Sequence, residues 1–95
     1  MKTEFTVENF NPDGMNEDEL VDWIAFFRDD IAADEKLFGF PPPESCYAQM
    51  EWAMDYCREK LLAMRYRRAG LIAEAIRHEH ACELIYADIK PPLRW

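Results

Sequence analysis

Nowhere in this 95-residue chain does an apolar run approach the ~20 residues that a membrane-spanning helix needs. The opening Met1-Lys2-Thr3-Glu4-Phe5 lacks the apolar stretch of a secretory signal. Glycine is scarce: the three present are scattered, so no Gly-rich loop exists to cradle a phosphate. The three cysteines, Cys46, Cys57 and Cys82, cannot all pair with one another and show no CxxC spacing. Reduced, buried thiols in a cytoplasmic protein are the expectation. No Ser–His–Asp order stands in a recognisable context, and the many carboxylates belong to helix faces. No catalytic residue, enzymatic activity or cofactor is therefore expected.

What is abundant is apolar and aromatic side chain: 49% of residues are hydrophobic and 14% aromatic. That is too much for a disordered chain. A single domain over 1–95 is expected, with a modest core to which an oligomer or partner can contribute. Charge is divided unevenly. Residues 1–55 hold 14 acidic and 3 basic side chains, a net −11; residues 56–95 hold 5 acidic and 8 basic, a net +3. Either the two halves neutralise each other internally or they present two surfaces of opposite sign.

The pattern along the chain predicts an all-α fold: a three-helix bundle with a long central helix, a C-terminal helical hairpin and an extended N-terminal arm. The arm covers 1–15, pinned by Phe5, Val7 and Phe10, and Asn11-Pro12-Asp13-Gly14 is a turn. The first helix covers 16–35, with Asn16 and Glu19 spaced as a capping box. At ~100° per residue, Leu20, Trp23, Ile24, Phe27 and Ile31 share one face; Asp18, Asp22 and Asp29 line the opposite one, with Phe26 beside them.

A Pro-rich loop over 36–44 follows, too short and too apolar at its flanks to serve as a proline-rich ligand. Phe38 and Phe40 are expected to plug the end of the core. The second helix, 45–69, carries two apolar stripes: Cys46, Met50, Ala53, Cys57, Leu61 and Met64 on one side, Trp52, Tyr56, Ala63 and Tyr66 on the other. A helix apolar on two sides lies between neighbours, so Trp52 is expected in the core. Gly70 caps it. The third helix, 71–89, places Leu71, Ala75, His78, Cys82, Ile85 and Ile89 on one face. Pro91 and Pro92 bound the tail, 90–95, in which Trp95 either folds back or meets a partner.

His78, His80 and Cys82 invite a metal reading. Residues two apart on a helix diverge by ~200°, so both histidines cannot reach one ion. His78 and Cys82 alone fall short of the three or four ligands of a zinc site, and no metal is expected. Basic residues cluster near the hairpin turn, but Lys60 and Arg67 lie on a different side of the second helix from Arg58 and Arg65. With a net charge of −8, direct binding to nucleic acid is not expected.

The stretch from Tyr56 to Leu84 resembles a tetratricopeptide-repeat hairpin. Gly70 stands at the turn, Ala75 at the small packing position, Leu62, Ala63 and Tyr66 in the first helix, and Cys82 where alanine is usual. Glu59 replaces the expected tryptophan, and no proline follows on schedule. One unit is also fewer than the three that stacked repeats need. The ending resembles small uncharacterised phage and bacterial proteins through Ala63-Met64-Arg65, Arg68-Ala69-Gly70, Ala75, Glu79, Cys82, Ile85-Tyr86 and Leu93-Arg94-Trp95. That resemblance implies an accessory protein that modulates a host complex, in the host cytoplasm if phage-encoded.

The expected function is a non-catalytic protein–protein interaction module with a protein partner or a second copy of itself. Asp18, Asp22, Phe26 and Asp29 are the candidate partner-binding residues on the first helix, and Arg65 and Arg68 at the hairpin end. The alternatives are an acidic inhibitor that mimics nucleic acid and a structural subunit of a larger assembly.

Overall fold

The computed structural model describes residues 10–38, 46–89 and 93–95, and the side chains among them except those of 34–38 and 46–48. It is all-α, with three helices: α1 (Glu17–Phe38), α2 (Cys46–Arg68) and α3 (Ile72–Asp88). Phe5, Val7 and Phe40, together with the side chains of Phe38 and Cys46, lie outside the described residues.

The approach to α1 is built from short-range hydrogen bonds. The Asn11 side chain accepts from the Asp13 amide at 3.1 Å. The Met15 amide donates to the Pro12 carbonyl at 3.1 Å across a turn whose third residue, Gly14, has φ +82°, a conformation that glycine adopts without penalty. The capping box then forms as its spacing requires. The Glu19 amide donates to Asn16 Oδ1 at 2.8 Å, and the Asn16 amide donates to Glu19 Oε1 at 3.1 Å. Helix α1 runs on to Phe38, past the end expected near 35. Lys36 and Leu37 are good helix formers, and the restriction imposed by Pro41 falls on Phe40, beyond the helix end.

Helix α2 is central. It packs against both α1 and α3, while α1 and α3 do not pack on each other among the described residues. Its two stripes explain this. Met50, Ala53, Met54, Cys57 and Leu61 enter a core with Leu20, Trp23, Phe27 and Ile31 of α1. On its other side Ala63 is buried, as are Ala75 and Cys82 of α3. The hairpin turn is a Schellman motif: the Gly70 amide donates to the Arg67 carbonyl at 3.1 Å and the Leu71 amide to the Tyr66 carbonyl at 2.9 Å, with Gly70 at φ +84°.

Two residues end up on the other side of the surface from where periodicity puts them. Trp52 is 39% exposed and Leu71 53%. In the antiparallel hairpin Tyr66 stacks on His78, and Cys82 bonds to the Tyr56 carbonyl. That register sets Trp52 opposite the end of α3, where the chain has already turned away to bury Ile89 and Leu93. Leu71 is the exposed residue between the capping glycine and the first turn of α3.

The core is closed by the two ends of the described chain. Phe10, 3% exposed, meets Trp23 at 5.2 Å, Phe27 at 5.1 Å and Trp95 at 5.2 Å between centroids, edge to face in each case. Trp95 therefore folds back. Phe10→Ala should cost about 3–5 kcal/mol, a large part of a small domain's stability. Trp52→Asp should cost less than Phe10→Ala, because the new charge stays in contact with water. Denaturant titrations of the two variants check both.

Candidate functional site

The six residues singled out on sequence fall into two patches. Asp18, Asp22 and Asp29 are exposed on the outer face of α1, and Asp29 lies 3.6 Å from Arg28. Phe26 does not stand on that open face. It is half-buried against the core, with its ring 5.5 Å from Trp23 and 5.4 Å from Phe27. Its angular position on the helix, between the apolar and acidic stripes, lets the side chain lean toward the rings on either side.

Arg65 and Arg68 do not stand free. Arg65 Nε donates to Glu17 Oε1 at 3.3 Å, and Arg68 Nη1 donates to Glu17 Oε2 at 2.6 Å. Glu17 sits at the positive end of the α1 dipole and the arginines at the negative end of α2, so each charge is also favoured by its own helix. Lys60 lies 4.0 Å from Asp13. To this extent the acidic and basic halves pair internally.

The two histidines diverge as their spacing requires. His78 pairs through Nδ1 with Glu59 and stacks on Tyr66 at 5.3 Å. His80 is exposed, 3.7 Å from Glu83. Among the described residues, no group of three His, Cys, Asp or Glu is placed to hold a metal ion. No helix among them is long and apolar enough to cross a membrane.

Two features escaped the sequence reading. The first is a ridge on α3. Ile72, Ile76 and Leu84 are 44%, 54% and 61% exposed, and with His80 they occupy every fourth position, the spacing of one surface ridge on a helix. The apolar periodicity of α3 accounts for its buried face, and nothing in that pattern singles out these three residues. The second is a cavity of about 430 Å³ lined by Asn11, Asp13, Tyr56, Glu83, Tyr86 and Trp95. Its walls come from the N-terminal turn, two helices and the tail, so no local motif announces it. A smaller cavity of about 280 Å³ adjoins it, sharing Tyr56 and Glu83 and reaching Met64 and Cys82.

The thiols near these cavities are held protonated. Burial, then the neighbouring Cys82, pushes Cys57 up to about 12 from the usual 9.0; burial, then Glu59, does the same for Cys82. Burial and Cys82 raise Tyr56 to about 12. A nucleophilic cysteine requires the opposite shift.

Comparison with family models, with curated proteins and with solved structures found no match.

The raised values set a pH dependence. The unfolded chain releases these thiol protons near pH 9 and the folded chain near 12, so the folded state binds more protons in between. Stability should be undiminished by these groups below pH 9 and fall as pH rises toward 12. Melting curves from pH 7 to 11 check this, and Cys57→Ala should flatten the alkaline decline.

Proposed function

We propose that this chain is a non-catalytic protein-binding module whose contact surface is the outer ridge of α3. The observation that carries the reading is the exposure of Ile72, Ile76 and Leu84 along one row of a helix whose other side is packed on α2. Isolated exposed apolar residues are ordinary; an aligned row of them is the form that fits the groove of a partner helix. Leu71 is exposed at the hairpin tip just before the row begins, and Arg77, paired with Glu74 at 3.4 Å, stands beside Ile76. A partner helix with an apolar stripe and basic flanks suits this surface, because α3 carries Glu74, Glu79, Glu83 and Asp88 against Arg77 alone.

A second reading rests on the acidic line of α1. Asp18, Asp22 and Asp29 remain exposed, the requirement for a nucleic-acid mimic that blocks a basic protein. Two double variants separate the readings by affinity capture from the native cell, followed by binding measurements with the purified partner. Ile76→Glu with Leu84→Glu should leave the melting temperature nearly unchanged, because both sites are exposed, and should weaken the partner at least ten-fold. Asp22→Lys with Asp29→Lys should change binding less than three-fold, about 0.6 kcal/mol. The reverse ranking, with steep salt dependence, assigns the function to the acidic line.

A further inference from the structure

Apart from the α3 ridge, the chain forms an open cavity at its surface whose lining has a definite chemical preference. Of the six described residues that line it, three are aromatic and two are carboxylates. Trp95 is the central ring, with its centroid 4.6 Å from Tyr56 at an interplanar angle of 71° and 4.6 Å from Tyr86 at 57°. Rings set steeply to one another form walls and not a stack. Asp13 and Glu83 stand at the rim with largely exposed side chains.

Each observation narrows the ligand. The carboxylates and the chain's net −8 turn away anions. Ring faces carry negative electrostatic potential and attract cations. One face of the Tyr86 ring already carries a cation, the Arg94 guanidinium 4.5 Å from its centroid, so the faces of Tyr56 and Trp95 are the ones left to a ligand. Two polar groups of the lining are already engaged: Asn11 accepts from the Asp13 amide, and Tyr86 donates its hydroxyl proton to the Trp95 main-chain oxygen at 2.5 Å. The acceptors for an ammonium's N–H groups, the Asp13 and Glu83 carboxylates, stand at the rim and not among the rings. A methylated ammonium needs none, loses less hydration and fills space against rings. At about 430 Å³ the cavity lies at the small end of the ~300–1,000 Å³ range of ligand clefts.

We propose that the cavity formed by Tyr56, Tyr86 and Trp95, with Asp13 and Glu83 at its rim, binds a methylated ammonium group. The group is either a free small molecule or a methylated lysine on a protein chain. The rings supply the contact, and the rim carboxylates supply the sign selection and draw the cation in.

The test is a titration of the full chain with choline chloride at constant ionic strength, following the Trp95 indole N–H and the Tyr56 and Tyr86 ring signals by nuclear magnetic resonance. Parallel titrations use 3,3-dimethylbutan-1-ol, the neutral isostere of choline, and a peptide bearing trimethyllysine. The expected result is a saturable choline response centred on these three residues, with the isostere roughly ten-fold weaker, the scale of a partly desolvated cation–ring contact. Glu83→Gln and Asp13→Asn, at exposed positions that leave the fold intact, should each weaken choline several-fold, and more so at low salt. Trp95→Ala should abolish the response. The peptide binding more tightly than choline assigns the site to a modified protein; the reverse assigns it to a small molecule. Equal affinity for choline and its isostere, a response that does not saturate, or one centred on Trp23 or Trp52 would overturn the proposal.

Discussion

The edge-to-face contacts around Phe10 are what make three helices one structure. Helices α1 and α3 pack on opposite sides of α2 and not on each other, so helix packing alone would leave two pairs sharing a strut. Phe10 reaches Trp23 and Phe27 of α1 on one side and Trp95 on the other. Ile89 and Leu93, just beyond α3, are buried in the same core. The residues flanking the helices thus carry the contacts that α1 and α3 lack. Each such ring pair contributes about 0.5–1.5 kcal/mol beyond its buried area. For a domain of this size, which buries a smaller share of its surface than a larger one does, contributions of that order matter. The same arrangement shapes the main cavity, since Trp95 is at once a core contact and a cavity wall.

Electrostatics follow from this frame. Glu17 draws Arg65 and Arg68 across the α1–α2 interface, and the Arg67–Glu79 pair does the equivalent between α2 and α3. The buried groups are apolar side chains and neutral thiols, with no buried charge among the described residues. The acidic excess is left outside, on the outer face of α1 and at the cavity rim. The interior is thus electrostatically quiet, and selectivity for a partner or ligand falls to the surface.

Features set by short-range chemistry were legible in the sequence. The capping box at Asn16 and Glu19 and the glycine cap at Gly70 are determined by residues a few positions apart, and both form as their spacing requires. The central place of α2 was legible because two apolar stripes need two neighbours. Features set by where a neighbour ends were not. Trp52 has the right period for burial, but the hairpin register sets it beside the last turn of α3, where it stays 39% exposed. The arginines at 65 and 68 read as a free basic patch because their partner, Glu17, lies about fifty residues away in sequence. Phe26 lies between two stripes, and its neighbours decided which side it joined. The cavity was the least legible feature, because its walls come from four separate segments.

The central claim is that the N-terminal turn and the C-terminal tail meet through Phe10 and Trp95 and couple α1 to the α2–α3 hairpin. A double-mutant cycle on folding stability, with Phe10→Leu and Trp95→Leu made singly and together, measures that coupling directly. The account predicts an interaction free energy of about 0.5–1.5 kcal/mol between the two positions. Strictly additive losses would contradict it and would mean that the two ends of the core are held independently.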